Sequence, residues 1–191
     1  MCKKICCLLL SCLFLFLVSC SEPEKDNTPN LTYPTNAKSD FVIVDGMIKK
    51  YNNNTVANLI IPDTATAIGP KVFTGNSALR TVTISDTVKT IGKEAFFMCP
   101  KLYKVKIGKN VTTIEDRAFY HNTSLLLLEI GDNVTSIGKD AFTGCTKLKV
   151  KCKPGSYAAE YFKDKATILS TNPSQASSKS TMKTIVVPRK Q

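Results

Sequence analysis

The chain has 191 residues, a length that suits one domain with a continuous core and leaves little room for a second. Its 26 Lys and Arg against 15 Asp and Glu give a formal net charge of +11, which favours anionic partners such as acidic glycans, matrix proteins or lipid headgroups. The sequence has no Trp and no motif of interleaved basic and aromatic residues, so we expect no nucleic-acid binding.

The first twenty residues have the layout of an export signal. Lys3 and Lys4 precede an apolar run over residues 5–18, whose roughly 14 residues fall short of the roughly 20 that a membrane-spanning helix needs. The run ends in Leu-Val-Ser-Cys at residues 17–20, which resembles the lipobox of bacterial lipoproteins. That resemblance implies a signal peptide of residues 1–19, lipidation of Cys20, and attachment to the bacterial outer membrane or cell surface by the lipid anchor alone.

Two segments separate the signal from the repetitive part of the chain. Residues 20–40 are rich in Pro, Asn, Thr and Lys, a composition typical of a flexible tether. In residues 41–58, Asp45 and Gly46 stand between two strand-like runs, which predicts a β-hairpin. We expect this hairpin to cover the N-terminal end of a stack, because a terminal repeat exposes a face that interior repeats bury.

Residues 56–152 repeat with a period of 23 residues, in four copies without insertion. The agreement of six columns over four copies predicts a solenoid, in which stacking buries the apolar groups that one unit alone would leave exposed. The columns are Leu59, Val82, Val105 and Leu128; Ile61, Ile84, Ile107 and Ile130; Ile68, Ile91, Ile114 and Ile137; Phe73, Phe96, Phe119 and Phe142; Leu79, Leu102, Leu125 and Leu148; and Val72, Ala95, Ala118 and Ala141.

Within one unit, alternation with a period of two places Val82 on one side of a strand and its two Thr neighbours on the other. A turn follows, then a second short strand that reaches Ile91. Gly92 allows a bend into a helical turn over residues 93–96. The predicted fold class is therefore a β-rich repeat solenoid with a parallel strand column, short second strands and helical turns.

The regular period fails after Leu148, and we predict a C-terminal cap of residues 153–170. Ser156 is a suitable N-cap for a short helix that reaches Lys163, and residues 166–169 can add a last strand. Residues 171–191 form a Ser/Thr-rich basic tail, which we expect to be largely disordered.

The pattern Leu-x-x-Val-x-Ile, then Val-x-x-Ile-Gly, then Ala-Phe-x-x-Cys stands in residues 79–99, and again in residues 125–145 with Leu128 in the Val position. It resembles the BspA-like leucine-rich repeat family over roughly residues 41–170. The departures are local, such as Glu115 for Gly and Asn122 for Cys in the third copy. The resemblance implies a surface or secreted bacterial protein, associated with adhesion to host proteins or other cells.

The cysteines and the histidine, which could in principle act in catalysis or bind a metal, are better explained as structural residues. Cys99 and Cys145 share a column two rungs apart, about 9.6 Å, which exceeds the limit of about 7 Å for a disulfide, so we expect free, buried thiols. Cys152, near the end of the array, could approach Cys145 closely enough to form a disulfide with it. The only histidine, His121, is typical of a polar loop, and zinc needs about four N or S ligands. Because no nucleophile motif or phosphate loop is present, we predict no enzymatic activity, no cofactor and no metal site.

The outward side of the strand column varies between copies, and it is the candidate binding site. We expect a monomer that binds a macromolecule there, either a protein or an acidic glycan. Two alternatives stay open, namely scattered surface variation and an accessory role in which the protein scaffolds another envelope component. The positions are Asn58 and Ile60, Thr81 and Thr83, Lys104 and Lys106, and Leu127 and Glu129 in successive copies; the candidate ligand-binding residues are Arg80, Tyr103, Lys104, Lys106, Leu127 and Glu129.

Overall fold

The chain folds into a solenoid whose coils have two parallel sheets and a third side made of turns. The computed structural model describes residues 36–170. The predicted signal peptide, Cys20, most of the predicted tether and the tail of residues 171–191 lie outside the described residues. Within the described residues, every helix is too short to cross a membrane.

Each sheet has six strands, and all neighbours pair in parallel except β1 and β2. The first sheet, here called the strand sheet, contains β3 (Asn58–Ile60), β5 (Thr81–Thr83), β7 (Lys104–Lys106), β9 (Leu127–Glu129), β11 (Lys149–Cys152) and β12 (Thr167–Ser170). The second sheet contains β1 (Phe41–Val44), β2 (Met47–Tyr51), β4 (Ala67–Ile68), β6 (Thr90–Ile91), β8 (Thr113–Ile114) and β10 (Ser136–Ile137). In residues 36–170 the helices are a short 3-10 helix at Lys38–Asp40 and α1 at Tyr157–Phe162.

The 23-residue period is also the strand register. Val82 lies opposite Leu59 on one side and Val105 on the other, and all three side chains are buried. Burial of each such side chain contributes about 1.5–3 kcal/mol, and a slip of one residue would turn it outward. The predicted columns therefore form one continuous core.

A ladder of phenylalanine rings runs through the centre of the core. Ring centroids lie 4.8 Å apart between Phe73 and Phe96, 5.1 Å between Phe96 and Phe119, and 5.2 Å between Phe119 and Phe142. The rings are close to parallel because each occupies the same position of its coil, and the coil spacing is about 4.8 Å. Tyr51 covers the first ring.

The third side of the coil is made of successive turns. In the second copy, the Phe97 N–H donates to the Glu94 carbonyl at 3.1 Å, whereas the Phe96 N–H donates to the Ala118 carbonyl of the next coil at 2.8 Å. Alternate amides thus bond within the coil and between coils. The turn predicted at residues 93–96 is present, but it does not continue into a helix, because Glu94 has a φ of 56°.

The N-terminal end of the stack is covered by the hairpin of β1 and β2. Asp45 and Gly46 form its turn, with φ values of 50° and 74° that a tight hairpin turn requires. Strand β2 then pairs in parallel with β4, so the hairpin extends the second sheet. Phe41 and Tyr51 lie opposite each other and are both buried.

The C-terminal end continues the strand sheet past the fourth copy. Val150 lies opposite Leu128, 22 residues earlier, so the chain here is one residue shorter than the repeat period. The helix α1 begins after Ser156, whose Oγ accepts a hydrogen bond from the Ala159 N–H at 3.2 Å. Strand β12 then pairs with β11. Phe162 packs edge-on against Phe142, so α1 closes the phenylalanine ladder.

Candidate binding face

The outward side chains of the strand sheet form two columns, here called the strand face. Each strand contributes one residue to each column, since the buried residue between them points into the core. The columns are Asn58, Thr81, Lys104, Leu127 and Lys149, and Ile60, Thr83, Lys106, Glu129 and Lys151. The structure places the first four pairs outward as the sequence predicts, and it aligns Lys149 and Lys151 of β11, which the sequence also places near Lys104 and Lys106, with the two columns.

Charge on the strand face is concentrated in β7, β9 and β11. Glu129 lies between Lys106 and Lys151 in its column, and it also forms an ion pair with Lys104 at 3.5 Å. One carboxylate thus lies among four lysines, of which Lys149 is the fourth. Four lysines against one glutamate leave this surface with a net positive charge, and strands about 4.8 Å apart place the ammonium groups close together.

An apolar flank borders these lysines. Tyr103 and Leu126 directly precede β7 and β9, and their side chains are 43% and 44% exposed. Backbone bonds hold this flank in register, because the Tyr103 N–H donates to the Arg80 carbonyl and the Leu126 N–H donates to the Tyr103 carbonyl, both at 2.9 Å. The half-buried Leu127 lies beside them. All six predicted ligand-binding residues thus lie on the strand face or its flank.

The first two coils of the strand face carry no ionisable side chain: their outward residues are Asn58, Thr81, Thr83 and Ile60, and Ile60 is apolar and 50% exposed. The Thr81 hydroxyl donates to Asn58 Oδ1 at 2.8 Å. The Asn36 side chain donates from Nδ2 to the Ile60 carbonyl at 2.9 Å, so it covers the edge of β3. The ionisable residues of the strand face therefore all lie in the third to fifth coils.

The three described cysteines are buried, and none of them forms a disulfide. The Cys99 thiol donates to the Phe73 carbonyl at 3.2 Å, and the Cys145 thiol donates to the Phe119 carbonyl at 3.3 Å. Burial raises the pKa of Cys99 to about 12 and that of Cys145 to about 11, so both thiols are protonated and poor nucleophiles at neutral pH. The possible bridge between Cys145 and Cys152 is not formed.

Two asparagines have a structural role that the sequence alone did not predict. Asn76 and Asn122 occupy the cysteine column, and both are buried. Asn122 donates to the Phe96 and Phe119 carbonyls at 2.9 and 3.0 Å, and its Oδ1 accepts the Cys99 N–H at 2.7 Å. A polar residue in a column that otherwise holds buried thiols is the signal that could have revealed this role.

A family model described as a BspA type leucine-rich repeat region, with six copies, matches residues 48–159. The match begins in β2 and ends in α1, so it includes incomplete units at both ends of the four full copies. No curated protein matches the chain.

Solved structures of bacterial leucine-rich repeat proteins share the fold. One from Bacteroides ovatus is 31% identical with a TM-score of 0.53, over 64% of this chain and 32% of that one. The pneumococcal vaccine antigen PcpA is 27% identical with a TM-score of 0.52, over 56% of this chain and 27% of that one. One from Bacteroides capillosus is 22% identical with a TM-score of 0.52, over 68% and 99%. The chain therefore spans about a third or less of the first two proteins.

The family match extends from the second strand of the capping hairpin to α1. The matched residues make up more than half of the sequence, and the structure forms the stacked coils that the repeat predicts. The chain belongs to the BspA-type leucine-rich repeat family.

Proposed function

We propose that this protein is a non-catalytic binding module of the bacterial cell surface, which adheres to an anionic macromolecule through its strand face. Leucine-rich repeat proteins present a surface for binding protein or other macromolecular partners. The proposal rests on one observation: at the outward positions of the strand face, the third to fifth coils carry different residues from the first two. There the strand face bears four lysines and one glutamate, beside an exposed tyrosine and leucine.

The arrangement suits an extended acidic partner, such as a sulfated or uronic-acid glycan or an acidic protein segment. Lysines on neighbouring coils repeat at about 4.8 Å, so one elongated ligand can meet several of them. Tyr103 and Leu126 offer apolar area at the border, which is typical of a contact surface rimmed by charge. Lys104 and Glu129 form an ion pair with each other at 3.5 Å within this arrangement.

We further propose that Cys20 is lipidated and anchors the protein to the outer face of the cell envelope. The sequence of residues 17–20 at the end of the apolar run supports this proposal. Labelled fatty acid should be incorporated by the natural chain and not by Cys20→Ala. Protease treatment of intact cells should release the repeat domain; protection from protease would instead favour the accessory role inside the envelope.

Binding can be tested with purified residues 21–191, which retain every described core residue, since these lie between Phe41 and Phe162. The chain is screened against matrix proteins and acidic glycans at low and physiological salt. We expect binding that weakens as salt increases, because exposed charges are screened. Absence of any binder at both salt concentrations would refute the proposal.

A matched pair of variants locates the binding site. The double variant Lys106→Gln and Lys149→Gln removes two charges from the strand face and leaves the pair of Lys104 and Glu129 intact. At about 0.2–1 kcal/mol for each exposed contact, affinity should fall between about 2- and 30-fold. The control, Lys50→Gln and Lys89→Gln, removes two exposed charges outside the strand face and should change affinity little. Equal losses in both variants would indicate a nonspecific charge effect.

A further inference from the structure

A second surface departs from the repeat, on the side of the coil formed by turns. Three columns of side chains lie there, and we call them the turn face. Its two central coils carry large side chains, whereas its first and fourth coils carry Thr and Gly at the same positions. The columns are Lys71, Glu94, Arg117 and Asp140; Thr74, Phe97, Tyr120 and Thr143; and Gly75, Met98, His121 and Gly144.

The first column of the turn face alternates in charge along the stack, in the order positive, negative, positive, negative. Glu94 lies between two cations, at 3.5 Å from the Lys71 ammonium and 3.8 Å from the Arg117 guanidinium. All four residues have a positive φ, between 54° and 59°, so the same local backbone presents each of them. The column therefore has no net charge, whereas the chain as a whole carries +11.

The centre of the turn face is aromatic. The rings of Phe97 and Tyr120 stack at 5.2 Å, His121 stacks on Tyr120 at 4.7 Å, and the Arg117 guanidinium lies 5.9 Å from the Tyr120 ring. Met98 is 48% exposed beside them. Aromatic residues, Met and Arg surrounded by small polar residues have the composition of the centre of a protein–protein contact.

We propose that the turn face binds a second copy of this chain about a two-fold axis. The axis lies in the plane of the face, at right angles to the stack, and passes between the second and third coils, so each column meets itself with the coil order reversed. Lys71 then faces Asp140 of the other copy, and Glu94 faces Arg117. The same operation brings Phe97 against Tyr120, so every charge meets its opposite and the large side chains meet at the centre.

A parallel dimer, in which the two stacks run in the same direction, does not have this complementarity. An axis along the stack would place the charged column against the column of Gly75, Met98, His121 and Gly144, where no carboxylate is available for Lys71 or Arg117. The antiparallel dimer is the arrangement that uses all four charges. It departs from the monomer expected from the sequence, and it does not depend on any ligand of the strand face.

The dimer is weak and exchanges readily, because its twelve residues a side fall below the roughly 20–30 of a standard interface. It leaves the strand face free, since the strands and the turns lie on different sides of the coil. Two strand faces in one particle would bind a repetitive ligand more tightly than one.

A charge-swap experiment with residues 21–191 tests the contact between copies. Lys71→Asp places like charges at both ends of the dimer, as does Asp140→Lys, and each variant alone should dimerise at least about fourfold more weakly than the natural chain. An equimolar mixture of the two variants should recover the dimer. In the mixed dimer, the aspartate introduced at position 71 of one chain faces the lysine introduced at position 140 of the other. The two positions lie three coils apart, about 14 Å, so a pair within one chain cannot explain the recovery.

Sedimentation velocity from about 10 µM to 1 mM gives the dimer fraction, over the range in which weak dimers form. A second variant, Phe97→Thr with Tyr120→Thr, carries the residues that the first and fourth copies have and should be monomeric throughout. Thermal unfolding of each variant checks that the coils remain intact. A natural chain that is monomeric at every concentration, a dimer that neither swap weakens, or a mixture that stays monomeric would overturn the proposal.

Discussion

Asn122→Ala tests whether the buried asparagine column holds neighbouring coils together. The side chain makes three hydrogen bonds, to the Cys99 N–H and to the Phe96 and Phe119 carbonyls, between 2.7 and 3.0 Å. In the alanine variant the Phe119 carbonyl keeps the Cys145 thiol, while the Cys99 N–H and the Phe96 carbonyl lose their partner inside the core. Each orphaned buried group costs about 1–3 kcal/mol, so the free energy of unfolding should fall by about 2–6 kcal/mol.

Urea unfolding followed by far-ultraviolet circular dichroism measures this loss. The control is Asn133→Ala, an exposed asparagine whose Nδ2 donates to the Lys109 carbonyl at 2.9 Å. Water can replace that bond, so the control should cost no more than about 1 kcal/mol. If both variants lost the same small free energy, the buried asparagine would not be holding the coils together, and the reasoning would fail.

Three further predictions concern the core. Gly92→Ala should lower the free energy of unfolding in urea by at least about 2 kcal/mol, because a Cβ there would lie 2.6 Å from a backbone oxygen of the preceding coil. The control is Gly75→Ala, whose Cβ would meet nothing within 4 Å. It should lower the free energy of unfolding by about 1 kcal/mol, because Gly75 has a φ of 69°. Phe119→Ala, which removes a ring stacked on both sides, should cost about 3–5 kcal/mol by the same measurement. Cys99 and Cys145 should resist a thiol reagent at pH 8 until the chain unfolds. Folding raises the pKa of both thiols, so the buried thiols contribute fully to the free energy of unfolding below the ordinary pKa of 9.0. This contribution should be lost as the pH rises from there to about 11–12. Cys99→Ala should reduce the loss.

The core could be predicted well from the sequence, because burial restricts the inward positions to apolar residues. Val82 and its equivalents must be apolar in every coil, so a single period shows the column, the strand and its outward neighbours together. The hairpin at Asp45 and Gly46 and the serine cap of α1 were equally predictable, since local backbone chemistry specifies both.

The turns were less predictable, because bonds between coils override local preference there. Residues 93–96, Lys-Glu-Ala-Phe, have good helix propensity, yet the Phe96 amide donates to the next coil and Glu94 adopts a positive φ. The role of Asn122 was hard to predict for the same reason, since its partners include carbonyls brought close only by stacking. The columns of the turn face follow from the same 23-residue period, but their ion pairs, ring stacking and shared backbone conformation are visible only in the structure.

The two proposed contacts should respond to salt in opposite ways. The strand face carries four lysines and one glutamate, so its attraction for an anionic ligand is long-ranged and weakens as salt increases from about 20 to 150 mM. Two copies of a strongly basic chain repel each other, and the same salt screens that repulsion before it screens charges in direct contact. Dimerisation through the neutral turn face should therefore not weaken over this range, whereas ligand binding should. Sedimentation and binding measured on one protein stock would show both trends, and a dimer that dissociates with salt as the ligand does would mean that the turn face is not the site of self-association.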